Sequence, residues 1–121
     1  MLRQVSPTLH VKDMRRTLSF FEASLAFRCT FKLEDDRHPE IPYAIVARDH
    51  VEIHLQVREA AAGTSSCYIT VDDADSVWAE VQKAGVRVLR PIENSAYGMR
   101  DFNVADPDGN TVGFGQPIAR R

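Results

Sequence analysis

DFNVADPDGNTVGFG, residues 101–115, decides how the rest of the chain is read. Phe102 and Val104 alternate with polar neighbours, Asp106-Pro107-Asp108-Gly109 interrupts the run, and Val112 and Phe114 resume it. Alternation on both sides of a break predicts two strands joined by a tight turn. Pro107 pre-sets one turn torsion, and Gly109 can adopt the positive φ that such a turn demands. Turn chemistry alone carries no function. The stretch gains meaning because a fainter copy of it lies in the first half of the chain.

Working outward, the two halves share one register. Val11 and Val71, Asp13 and Asp73, Leu18 and Trp78, and Phe21 and Val81 are each 60 residues apart. Near the hairpins the offset becomes 59, pairing Asp49-His50 with Asp108-Gly109 and Leu55 with Phe114. A first strand is expected over residues 4–11, with Pro7 marking an edge or bulge. Asp13 offers an N-cap, and Met14, Leu18, Phe21 and Leu25 follow as a helical stripe. Strands are expected over residues 27–33, 41–47 and 51–57, around the polar loop 34–40. Asp73 then caps a second helix with the stripe Ala74, Val77, Trp78 and Val81, and Gly85 closes it. Strands over 66–71 and 86–89, a loop over 91–98 and the final hairpin complete the chain. The reading is α+β: one domain, 1–121, with a βαβββ module over 4–57, a linker over 58–65 and a second module over 66–117.

Bulk composition narrows the function. With 121 residues, 44% hydrophobic and 26% charged, the chain suits one globular domain with a real core. A net charge of −2 and scattered basic residues argue against nucleic-acid binding. Cys29 and Cys67 lie far apart in strand-like segments, as expected of reduced thiols in a cytoplasm. The start MLRQVSPTLHV lacks a signal-peptide core, and no apolar run approaches membrane-spanning length. The expectation is a cytoplasmic protein without nucleic-acid or membrane partners.

The order βαβββ–βαβββ, with LHVKDMRRTLSFFEASLAF early and YGMRDFNVADPDGNTVGFG late, resembles the vicinal oxygen chelate superfamily. That group contains glyoxalase I, extradiol dioxygenases, methylmalonyl-CoA epimerases, fosfomycin-resistance thiol transferases and bleomycin-resistance proteins. The resemblance runs from about Gln4 to about Gln116, and its most specific part is Tyr97-Gly98, Phe102 and Asp106 to Asn110. These residues look most like the bleomycin-resistance and glyoxalase-like branch. One departure is Leu25-Ala26-Phe27, where the family usually has Leu-Gly-Phe. The resemblance implies that the modules build a cup-shaped mixed sheet with helices outside, and that pairing two subunits completes each cup.

The same resemblance implies four metal-ligand positions in the enzymes, two at the first strands and two at the last strands of the modules. Here they fall on Ser6, Ser66, His54 and Gly113, of which only His54 is an ordinary ligand. A register shifted by two residues brings in Thr8, Glu52, Gln56, Tyr68, Thr111 or Gly115, and a cluster of His10, Glu52 and His54 is the remaining route to a metal. His10 is inward by strand parity, and is either a substrate contact or a histidine bonded to backbone. His54 is either a general base or a hydrogen-bonded wall residue. Cys67 is expected in the core. The acidic loop Glu34-Asp35-Asp36 is a solvated turn or an attractor for cations. Tyr97 and Met99 would overhang the cup and offer a wall for flat, apolar ligands.

The sequence therefore points to a metal-free, non-catalytic, cofactor-free homodimer that sequesters a small-molecule ligand. The expected ligand-binding residues are Ser6, Thr8, His10, Glu52, His54, Ser66, Tyr97, Met99 and Gly113. The alternative is a metal-dependent glyoxalase- or dioxygenase-like enzyme with displaced ligands, and a closed scaffold module is a third reading.

Overall fold

Asp13 and Asp73 do what their positions predict. The Asp13 carboxylate accepts from the Arg16 amide at 3.2 Å and the Asp73 carboxylate from the Ser76 amide at 3.1 Å. Each such cap is worth about 1 kcal/mol. They open α1 (Met14–Ser24) and α2 (Ala74–Lys83) in a computed structural model that describes residues 1–119. Around α1 lie β1 (Thr8–Val11), β2 (Arg28–Lys32), β3 (Tyr43–Arg48) and β4 (Val51–Val57). Around α2 lie β5 (Ser66–Thr70), β6 (Val88–Asn94), β7 (Met99–Ala105) and β8 (Thr111–Pro117).

Each module forms its own four-stranded mixed sheet, in the orders β1-β4-β3-β2 and β5-β8-β7-β6. In both, the first strand runs parallel to the last and the remaining pairs are antiparallel. The repeated topology is the duplication that the register of the sequence predicts.

Alternation sends one face of each sheet inward. Leu9, Val11, Ala44, Val46, Ile53 and Leu55 from the first sheet are fully buried, as are Phe102, Val104 and Val112 from the second. They join Leu18, Phe21 and Val81 of the helices in one continuous apolar core. Burying each large side chain contributes about 1.5–3 kcal/mol. Phe102 stacks on Phe114 with ring centres 5.3 Å apart, and Trp78 meets Phe102 edge-on at 5.1 Å. The other face of each sheet points away from this core and carries the candidate site.

Polar fasteners bind the modules together. The Arg48 guanidinium donates to both carboxylate oxygens of Glu80, at 3.0 and 3.1 Å, and to the Leu25 carbonyl at 2.9 Å. The 106–110 turn is the second fastener. Its Gly109 takes φ 96°, as the sequence predicts, and Asp106 accepts from the amides of Asp108 and Asn110 at 3.0 and 2.8 Å. Asn110, fully buried, donates to the Asp106 carboxylate at 2.7 Å and to the His10 carbonyl at 2.8 Å, and accepts from the Ser65 amide at 2.9 Å. Asp108 accepts from the Lys12 amide at 3.2 Å and from Arg16 at 2.7 Å. The most family-specific motif in the chain is therefore a structural clasp.

Two expectations need correction. The run 91–98 is not all loop, because β6 continues through Pro91 to Asn94. β6 is an edge strand, and its register slips between Val88 and Arg90 and again between Arg90 and Glu93. At an edge with slipped pairing, a residue without an amide proton interrupts nothing. At the other end, β1 begins at Thr8, not residue 4. The Pro7 carbonyl still accepts from the His54 amide at 2.9 Å, but Pro7 cannot donate, and the ladder stops there.

The departure at Leu25-Ala26-Phe27 has a physical cost. Ala26 sits just after α1 at φ 56°, the conformation that Gly85 takes after α2 at φ 70°. A left-handed alanine costs about 1–2 kcal/mol, while glycine there would lose about 0.5–1 kcal/mol more chain entropy. Ala26→Gly is therefore expected to stabilise the protein by about 0.5–1 kcal/mol, read as a higher urea midpoint at unchanged slope. A lower midpoint would contradict this.

Among the described residues no helix is long and apolar enough to cross a membrane.

Candidate functional site

The outward face of the first sheet is built from β3 and β4. Glu52 and His54 alternate outward on β4, and Tyr43 reaches them from β3. His54 Nε2 lies 3.0 Å from Glu52 Oε1, and His54 Nδ1 lies 2.5 Å from the Tyr43 hydroxyl. Because a carboxylate only accepts, Nε2 carries the proton and Nδ1 takes the Tyr43 hydroxyl proton. Both ring nitrogens are thus engaged by protein groups. Thr8 stands opposite His54, and His10 opposite Gln56. His10 does not join Glu52 and His54, and its backbone is tied to the clasp through Ser65 and Asn110. Ser6 precedes β1 and accepts from Gln4 at 2.9 Å.

The second sheet presents a different chemistry. Gly113 and Gly115 leave β8 bare on the outward side, and the Tyr68 ring lies across them. A Cβ on Gly113 would come within 3.0 Å of that ring and 2.8 Å of Asn103, and one on Gly115 within 1.7 Å of the Tyr68 hydroxyl oxygen. Ser66 stands opposite Thr111, one alternation away. Met99 opens β7 opposite Pro117. Tyr97 sits at the tip of a tight turn in which the Ser95 amide donates to the Met99 carbonyl at 2.7 Å and the Gly98 amide to the Ser95 carbonyl at 3.1 Å. It is held by a hairpin, where the sequence suggested an overhanging loop.

Asp101 organises this face and is missing from the residues selected by sequence. Its side chain is wholly buried. Oδ2 accepts from Tyr68 at 2.8 Å and from the Tyr97 hydroxyl, and Oδ1 accepts from Arg90 at 2.6 Å and Ser95 at 2.8 Å. Burial works to raise the Asp101 pKa, but the donors on Tyr97, Arg90, Ser95 and Tyr68 outweigh it and hold the carboxyl well below its ordinary range. The Tyr68 phenol is pushed up to about 12, by desolvation first and then by its bond to Asp101. The only signal in the sequence was parity: Asp101 is two residues from Met99 on a strand with one outward face.

A divalent ion does not fit the four implied positions. Ser6 is engaged outside any strand, His54 has both nitrogens engaged, Ser66 lies opposite Thr111, and the Tyr68 ring covers Gly113. Among the described residues no three His, Cys, Asp or Glu side chains group as metal ligands, and no buried side-chain nitrogen or oxygen lacks a partner. Cys67 lies in the half-buried layer against the core, as expected. Burial, then the charge of Asp106, push its thiol up to about 11, which leaves it protonated and unreactive at neutral pH. A cleft of about 1080 Å³ is lined by residues 33–40 and Pro42, the acidic loop among them, and by no strand residue of either sheet.

Comparison with known proteins agrees with this architecture. The family model described as "Glyoxalase/Bleomycin resistance protein/Dioxygenase superfamily" matches residues 3–114. A bleomycin resistance protein of Geobacillus stearothermophilus is 27% identical, over 95% of this chain and 97% of the relative. The crystal structure of the bleomycin-binding protein from bleomycin-producing Streptomyces verticillus, complexed with copper(II)-bleomycin, is 28% identical with TM-score 0.75, covering 99% of this chain and 100% of that one. A bleomycin resistance determinant encoded on the transposon Tn5 superposes with TM-score 0.81 at 20% identity, covering 98% of this chain and 100% of that one.

Proposed function

The chain belongs to the glyoxalase/bleomycin resistance protein/dioxygenase superfamily, and from that premise we propose that it is a metal-free binder that sequesters a bleomycin-like small molecule, without catalysis or cofactor. The observation that carries this reading is the Tyr68 ring lying over Gly113 and Gly115. The place where an enzyme of this superfamily would hold a ligand to its metal is here an aromatic wall, suited to stacking. The relatives named for bleomycin binding or resistance support it further, because they match this chain over nearly its whole length.

Capture needs an enclosed groove. Phe31, Tyr68 and Tyr97, at 47%, 48% and 59% exposure, stand open on these faces. Exposed aromatics at that density favour a homodimer in which the first sheet of one subunit faces the second sheet of its partner, giving two grooves. Ser6, Thr8, His10, Glu52 and His54 would line one wall, and Ser66, Tyr97, Met99 and Gly113 the other.

Isothermal titration with bleomycin, with and without copper(II), is expected to saturate at one ligand per chain with micromolar affinity or better. Sedimentation at the same concentration is expected to show a dimer. Near-stoichiometric metal in protein purified without a chelating tag, lost on His54→Ala, would overturn the reading in favour of an enzyme.

A further inference from the structure

Four donors from three parts of the second module converge on one buried carboxylate. Tyr68 comes from β5, Arg90 from β6, and Ser95 and Tyr97 from the hairpin turn, and all four donate to Asp101. A tyrosine hydroxyl has one proton. Once Asp101 takes it, the phenol oxygen offers a further partner only lone pairs, while the ring face stays electron-rich. The Ser95 proton is likewise spent on Asp101, and the Arg90 guanidinium divides itself between Asp101 and Glu93, 3.0 Å away. Charge points the same way, since one cation stands between two carboxylates and the cluster carries a net negative charge.

We propose that Asp101 sets the hydrogen-bond polarity of this wall: by accepting the Tyr68 hydroxyl hydrogen bond it leaves the Tyr68 oxygen an acceptor that selects flat ligands bearing cationic N–H donors. This rests on reading the outward face of the second sheet as a groove wall. It assigns the selection to a residue that never touches the ligand. Asp101 is a positioning residue, and the Tyr68 oxygen and ring make the contact. Asp101→Asn would reverse the arrangement. The amide oxygen would keep Arg90 and Ser95, while the amide N–H would donate to the Tyr68 oxygen and turn its hydroxyl proton toward the groove.

Benzamidine and benzoate are near-isosteric probes of opposite polarity. Amide chemical-shift titration of the intact protein, followed at Gly113 and Gly115, reads both. The wild type is expected to bind benzamidine at least roughly tenfold better than benzoate, about the discrimination of one or two hydrogen bonds. Asp101→Asn is expected to narrow or invert that ratio, and Tyr68→Phe, which keeps the ring and the fold, to weaken benzamidine while leaving benzoate unchanged. Equal binding of both probes, no shift at Gly113 and Gly115 with either, or a ratio that survives both substitutions would overturn the proposal. If Asp101→Asn fails to fold, the Tyr68→Phe result decides alone. Bleomycin titration runs separately: probe discrimination without bleomycin binding sinks the sequestration of bleomycin and keeps the polarity of the wall, and the converse sinks only the latter.

Discussion

Asn110→Ala is expected to cost about 3–5 kcal/mol of unfolding free energy. Asn110 is wholly buried, and its amide satisfies groups from three parts of the chain: the Ser65 amide before β5, the His10 carbonyl in β1 and the Asp106 carboxylate in its own turn. Truncation leaves the first two, both part-buried, without these partners, at about 1–3 kcal/mol each. It also removes a donor from Asp106, whose pKa burial already raises against the help of Asn110 and Asp108. Asn110→Asp separates polarity from volume. It fills the same space but turns a donor into an acceptor facing the Asp106 carboxylate 2.7 Å away, and is expected to be at least as damaging. Asp108→Ala is the contrast: it loses the Arg16 pair, half exposed on the arginine side, and one amide bond, at about 1 kcal/mol. Urea unfolding of the three variants checks the order. An Asn110→Ala protein within about 1 kcal/mol of wild type would mean that the clasp does not hold the modules together.

That clasp shows what a sequence can and cannot reveal. The Asp-Pro-Asp-Gly-Asn run declares a turn through local torsions, which are properties of the residues themselves. Its bonds to Ser65, His10 and Lys12 span tens of residues and leave no periodicity. Caps, helical stripes and the repeat register were legible for the same local reason: Asp13, Asp73, Leu18 and Trp78 act within one or two turns of chain. The candidate site was half legible. Parity correctly set Glu52 and His54 on one outward face, but Tyr43, which completes the trio, read as an ordinary strand residue. Across the sheets, pairing sets Thr8 against His54 and Tyr68 against Gly113. The sequence reading offers Tyr68 only as a shifted alternative, although it covers the glycines. Asp101 carries no local signature because its meaning lies in four donors brought in from β5, β6 and a turn, and the expected sixth strand ends at residue 89.

Gly115→Ala tests whether that aromatic cover is what the protein uses. The added Cβ would lie 1.7 Å from the Tyr68 hydroxyl oxygen and 2.4 Å from the ring carbon bearing it, so the ring must swing away and its bond to Asp101 must break. Losing a hydrogen bond to a charged group costs about 1.5–3 kcal/mol, offset by about 0.5–1 kcal/mol from the stiffer alanine backbone. A net loss of about 1–2 kcal/mol is expected, together with a fall in bleomycin affinity of roughly tenfold or more, the weight of one stacked ring. Ultraviolet phenolate titration identifies the cause. In the wild type Tyr68 titrates near 12 instead of 10, so below pH 10 folded and unfolded chains both keep the proton and its stabilising contribution is whole. Between 10 and 12 the unfolded chain releases the proton while the folded chain holds it, and stability falls as pH rises through that window. Gly115→Ala should bring the phenol back toward its ordinary range and flatten that decline. Tyr68→Phe provides the counterweight, since it also removes the titration but leaves the ring over the glycines. If the two variants weaken bleomycin equally, the hydroxyl matters and the stacked ring does not. If Gly115→Ala is clearly the worse, the bare glycine floor exists to seat an aromatic wall, and the face that would otherwise hold a metal is committed to binding.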